Sequence, residues 1–261
     1  MAYLSPTLTL LIAAVKKASV AVARDFNELE HLQSSVRNTA AFAARSAEKA
    51  AAILREECAK CKPNFGFVAD SADSLPSSGN YFAVCPIDGF ENFTHGNNKF
   101  ALSLAMVENN AVTAAIVYNP ISDEMFFAEK GSGAFKEGFR SHERLRVAGS
   151  KNAETALLGC SADIATVSKA FKLSPNTRIS GATAVDLAYV AAGKLDAVIT
   201  ENAPTIAVAA GILLVKEAGG YIVNVGETDV RSEDLVKALL GGKIIATNEA
   251  LRQKIADTMA K

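Results

Sequence analysis

The sequence is short of cysteine, of histidine, of any charge excess and of long apolar runs, and each shortage removes a class of protein. Four cysteines, Cys58, Cys61, Cys85 and Cys160, are too few and too scattered in 261 residues for a secreted disulfide scaffold. They read as reduced thiols. Cys58-Ala-Lys-Cys61 has the spacing of a redox motif or zinc knuckle, but no second pair follows it. The three histidines, His31, His95 and His142, show no ligand spacing among themselves. Twenty-seven basic residues against twenty-eight acidic ones leave a net charge of −1 and no basic block, so direct nucleic-acid binding is not expected. The most apolar early stretch, Leu8 to Val15, falls short of the roughly 20 residues of a membrane span and ends at Lys16-Lys17. Met1 to Thr7 carry no basic side chain of the kind that opens a signal peptide. No membrane role is expected, and the default location is the cytoplasm.

What the chain has in quantity is apolar residues, 49% of 261 positions, enough to bury one large core or two closely packed smaller ones. Ser5-Pro6 reads as an N-cap with proline at the first helical position, opening a helix to about Phe26. A second helix, about Ala40 to Cys61, should stop before Pro63. From Phe65 the pattern changes to short apolar runs, Phe65 to Ala69, Tyr81 to Val84, Ala101 to Val107, Val112 to Tyr118 and Met125 to Ala128, which read as a largely antiparallel meander. The second half alternates: strand Ala156 to Cys160, helices Ala162 to Ala170 and Ala184 to Ala192, strand Ala197 to Thr200, helix Thr205 to Ala218, then strands near Tyr221 and Ile244. The expected organisation is an N-terminal α+β domain over 1–148 and a C-terminal α/β domain over 149–261, with the boundary near Ala148-Gly149-Ser150.

The run Cys85-Pro86-Ile87-Asp88-Gly89-Phe90-Glu91-Asn92-Phe93-Thr94-His95-Gly96 resembles the signature of the inositol monophosphatase superfamily, Asp-Pro-(Ile/Leu)-Asp-Gly-Thr-x-Asn-Phe-x-His-Gly. The stretches Val117 to Pro120, Ala128 to Phe135, Gly181 to Gly193, Ala209-Ala210-Gly211 and Glu217 to Gly220 extend the likeness over most of the chain beyond Phe65. The resemblance implies a layered α-β-α-β-α sandwich with a phosphate site between the halves, a homodimer, and a small phosphorylated metabolite as ligand. It also implies Mg²⁺ held by carboxylates, with cations activating water and neutralising phosphate oxygens. A bacterial subset of such proteins associates with transcription machinery.

Carried over residue by residue, the resemblance puts the metal ligands at Asp70, Cys85, the Ile87 carbonyl and Asp88. Cys85 stands where the family has an aspartate, and a thiol is a soft, mostly protonated group. The family's Trp-Asp pair falls on Ile206-Ala207, the water-orienting threonine on Phe90, and its partner acid on Ala44. Phosphate would meet the backbone amides of Gly89 and Phe90, near the added carboxylate of Glu91. Gly181, Ala182, Thr183 and Thr200, with Glu201 beside it, are expected to face substrate. From the residues alone, Asp88 reads equally as a helix cap, Asp70 as a turn residue and Cys85 as a small buried apolar group. The expected function is therefore a family member with weak or lost Mg²⁺ binding, weak or inactive as a phosphatase and retained for binding or interaction. The alternative is an active Mg²⁺-dependent phosphatase of inositol or related sugar phosphates.

Overall fold

The computed structural model describes residues 4–32, 38–69, 76, 79–201, 203–224 and 243–260. Two helices open the chain. In α1 (Pro6–Leu32) Ser5 Oγ accepts from the Leu8 amide at 3.1 Å, and Leu8, Leu11, Val15, Ala18, Val22, Phe26 and Leu29 recur every three or four residues as one buried stripe. Asn38 caps α2 (Thr39–Cys61) by accepting from the Ala41 amide at 2.9 Å, and Ala43, Ser46, Ala50, Leu54 and Cys58 are its buried face. The first helix runs further than its apolar start suggests. Its segment Pro6–Leu29 meets the length and composition of a membrane span, but its apolar stripe is packed against α2 and the adjoining sheet.

That sheet has seven strands in sequence order: β1 (Gly66–Val68), β2 (Tyr81–Asp88), β3 (Ala101–Glu108), β4 (Ala111–Asn119), β5 (Glu124–Glu129), β6 (Gly133–Glu137) and β7 (His142–Arg144). All neighbours are antiparallel except β1 and β2. Strand β2 is buried on both faces, as a strand covered on both sides must be. Phe82, Val84 and Ile87 belong to the core under α1 and α2, while Tyr81, Ala83 and Cys85 belong to the core on the other face. The strand is longer than its expected end at Val84. Beyond Ala83 the short β1 no longer pairs with it, so Pro86 removes no hydrogen bond on that side. A bulge sets Cys85 to Asp88 against Ser103 to Ala101 of β3 and bends the strand's end towards the second half of the chain.

The second sheet orders β8 (Leu158–Ser161), β9 (Thr177–Arg178), β10 (Ala197–Glu201), β11 (Tyr221–Asn224) and β12 (Lys243–Thr247) as β11-β12-β10-β8-β9. Between the sheets lie α5 (Thr183–Ala191) and α6 (Thr205–Glu217), buried nearly all round. On the outer face of the second sheet, α4 (Ile164–Leu173) and α7 (Glu249–Ala260) close a third core with Leu158, Cys160, Ile199, Leu251, Ile255 and Met259. The layers are α-β-α-β-α, as expected. Strands β6, β7 and β9 and helix α7 were not foreseen. Helix α7 buries only Leu251, Ile255 and Met259 in an otherwise polar segment, a signal too sparse for periodicity to carry.

The central helices touch through Gly211, where an added Cβ would lie 2.5 Å from Leu187 Cβ. Gly211→Ala is therefore expected to cost about 1–3 kcal/mol through overpacking, read as a lower urea midpoint at unchanged slope.

Candidate functional site

The bulged end of β2 opens into a cleft of about 620 Å³ lined by Ala47, Cys85 to Phe90, Ser161 to Asp163, Gly181, Thr183, Glu201, Pro204, Ile206 and Ala207, among others. Strand ends β2, β8 and β10 and the starts of α3 (Phe90–Thr94), α4, α5 and α6 meet there. Helix starts carry unsatisfied amides and the positive end of the dipole.

Asp88 is buried at the centre, and its Oδ2 accepts from the Ala184 amide at 2.7 Å. It therefore caps α5, from the other side of the cleft, rather than the helix that follows it in sequence. Helix α5 has no side-chain cap of its own at Ala182. Burial pushes the Asp88 carboxyl up to about 7, opposed by the α5 amides and reinforced by the charge of Asp186. Asp186 accepts from Ser180 Oγ at 2.7 Å and is itself pushed by burial up to about 6.

Gly89 follows in the left-handed region, with φ 84°, and starts α3. A Cβ there would lie 2.7 Å from the Lys99 carbonyl oxygen and 3.1 Å from Ala182 Cβ, so only glycine lets the two walls approach this closely. Asn92 then donates from one Nδ2 to the carbonyls of Lys99 at 2.7 Å and Ser180 at 2.8 Å. Thr94 Oγ1 donates to the Glu91 carbonyl at 2.8 Å, and His95 Nδ1 lies 2.8 Å from the same oxygen. The second half of the signature thus holds backbone, and Glu91 projects to solvent.

The remaining expected residues divide. Cys85, Ile87, Gly89, Phe90, Gly181 and Thr183 line the cleft with Asp88. Cys85 is almost wholly buried, and burial together with the neighbouring Asp88 pushes its thiol well above the ordinary range, so it is a neutral group. Ala182 and Thr200 are buried and do not line the cleft. Glu201, next along β10, does, and its Oε2 accepts from Thr166 Oγ1 at 2.9 Å and pairs with Lys243 Nζ at 3.2 Å. Position 207 presents alanine, and the α2 residue at the cleft is Ala47, one turn beyond the expected Ala44. Asp70 lies outside the described residues. Burial also pushes the Cys58 thiol up to about 12, which suits a structural residue rather than a redox one.

Ser161, Asp163 and Pro204 are cleft residues that the sequence reading passed over. Asp163 was legible: its Oδ1 accepts from the Thr166 amide at 2.7 Å, so it is the N-cap of α4, a position that an Asp before an apolar periodic run advertises. Among the described residues no three of His, Cys, Asp and Glu come together in a way that would hold a metal ion. Of the expected ligand positions among the described residues, Asp88 has one oxygen committed to α5, Cys85 is a neutral thiol and position 207 an alanine, so fewer hard oxygens are offered to a cation than the resemblance implies.

An Asp carboxyl raised from 3.8 to about 7 favours the folded state fully below pH 4, and that advantage is lost as pH rises to about 7. Asp186 contributes with the same sign. Asp88→Asn keeps an oxygen for Ala184 and removes one titration, so its stability in EDTA is expected to fall less between pH 5 and 8 than that of the unchanged chain. Urea midpoints at the two pH values check this, and an equal fall would refute it.

The inositol monophosphatase family profile matches residues 3–261. The chain is 32% identical over 269 aligned positions to the inositol-1-monophosphatase of Rhizobium meliloti, covering 98% of this chain and 97% of that one. It is 28% identical to the Nus factor SuhB of Xylella fastidiosa, over 88% of this chain and 86% of the relative. In three dimensions it resembles the extragenic suppressor protein suhB from Bartonella henselae, with a TM-score of 0.82 and 31% identity over 99% of this chain and 100% of that one.

Proposed function

The chain belongs to the inositol monophosphatase family, and from that footing we propose that it keeps the family cleft for binding a small metabolite, with Mg²⁺-dependent hydrolysis weak or lost. The observation that carries this reading is the pair Cys85 and Ala207, both at the cleft and both without a carboxylate where the family chemistry needs one. A divalent cation supplies water activation and charge neutralisation when bound. Here Phe90 offers no hydroxyl, and neither Ala44 nor Ala47 a carboxylate, with which to orient a water. What remains suits recognition. The Gly89 turn shapes one wall, Thr183 starts the helix on the other, and Glu201 is held in place by Thr166 and Lys243.

The homodimer expected of this family would cover apolar side chains exposed on the α4 side, among them Ile164 at 86%, Phe171 at 45% and Ile179 at 60% exposure. A cytoplasmic location fits the same reading.

Phosphate release from inositol monophosphate in millimolar Mg²⁺ tests the proposal, with release at the level of the protein-free control as the expected result. Restoring both acids, Cys85→Asp with Ala207→Asp, is expected to raise release by about tenfold or more, equivalent to about 1.4 kcal/mol of barrier. Steady release by the unchanged chain, abolished by Asp88→Ala, would overturn it.

A further inference from the structure

We propose that the cleft selects an uncharged polyhydroxylated ring, a cyclitol or sugar without its phosphate. The inference rests on the non-hydrolytic reading above and names the ligand class for it.

Charge is the first ground. Asp88, Asp163 and Glu201 line the cleft, and no Lys, Arg or His does so among the described residues. The cation beside it, Lys243, donates to Thr166 Oγ1 at 2.9 Å and pairs with Glu201 at 3.2 Å, so its charge is already met. An incoming phosphate would face the carboxylates of Asp163 and Glu201, with no cation among the described lining residues to offset them. Two of the helix starts that would otherwise attract an anion are filled from within the chain: Asp163 takes the α4 amide of Thr166, and Asp88 takes the α5 amide of Ala184. The α4 contact also holds the Asp163 carboxyl below its ordinary range. Helix α6 starts without a side-chain cap, but it shows the apolar side chains of Ile206 and Ala207 to the cleft.

Hydrogen-bonding capacity is the second ground. Carboxylates accept from hydroxyl groups with charge-assisted strength. The Oε2 of Glu201 serves Thr166 and Lys243, and Oε1 has no hydrogen-bond partner among the described residues. Ser161 and Thr183 add hydroxyls to the walls, and Phe90 adds an apolar ring surface suited to the C–H face of a cyclic polyol. The volume, about 620 Å³, lies within the range of small-molecule sites.

Isothermal titration of the full chain with myo-inositol and glucose, each against its monophosphate and against inorganic phosphate, tests the inference in EDTA. At least one free polyol is expected to bind about tenfold or more tighter than its monophosphate, with an affinity that does not change with salt. Glu201→Gln is expected to weaken that binding several-fold while the fold, followed by circular dichroism, is retained. Equal or tighter binding of a monophosphate or of inorganic phosphate in EDTA overturns the inference, as does failure of both free polyols to bind. Neither of those results touches the reading of weak or lost hydrolysis, which falls only on steady, Asp88-dependent release of phosphate in Mg²⁺.

Discussion

The hydrogen bond from the Ala184 amide to the Asp88 carboxylate joins the end of a strand in the first sheet to the start of a helix in the central layer. A buried carboxylate is costly unless its oxygens are met, and a helix start without its own cap is costly unless its amides are met. Each answers the other. Around this contact the chain has little freedom: Gly89 turns at once into α3 with no room for a side chain, and Asn92 ties α3 to the segment that leads into α5. The two walls of the cleft are therefore held by interactions that need no cation.

The same contact explains how the signature keeps its form around a thiol at position 85 and an aromatic ring at position 90. Asn92, Thr94 and His95 make bonds to backbone, and Gly89 is required by close approach, so these positions keep the walls together whatever the cleft does. Phe90 and Ala207 face the cleft without such duties towards the backbone, and Cys85 has only the Ile87 amide beside its sulfur. Their side chains can lose acid and hydroxyl groups while the surrounding packing stays intact, since a thiol, a ring and a methyl group all suit the apolar surfaces beside them.

Much of this was legible in the sequence, for physical reasons that differ from place to place. Long elements with strong periodicity, α1, α2, β3, β4 and α6, showed themselves because burial on a fixed face imposes spacing. The signature located the cleft because glycine and asparagine at set intervals answer to backbone geometry. What stayed hidden depends on pairings between distant segments. Nothing local says that Asp88 caps α5 instead of α3, a partnership across 96 residues. Nor does the register of β10 show from sequence: Thr200 turns to the interior and Glu201 to the cleft, and a one-residue shift along a strand exchanges the two faces. On α2, Ala47 lines the cleft one helical turn beyond Ala44, and pattern alone does not separate two positions on nearly the same face.

Strand β2, buried on both faces and ending in Cys85, Asp88 and the Gly89 turn, has one more consequence. Crowding several carboxylates into so dry a place would make the folded chain depend on a cation to hold their mutual repulsion in check. With a neutral thiol at 85 and a methyl group at 207, much of that repulsion is gone. Under the proposed function, the fold then needs no ion to hold these walls together, and occupancy of the cleft follows a metabolite instead of the supply of an ion.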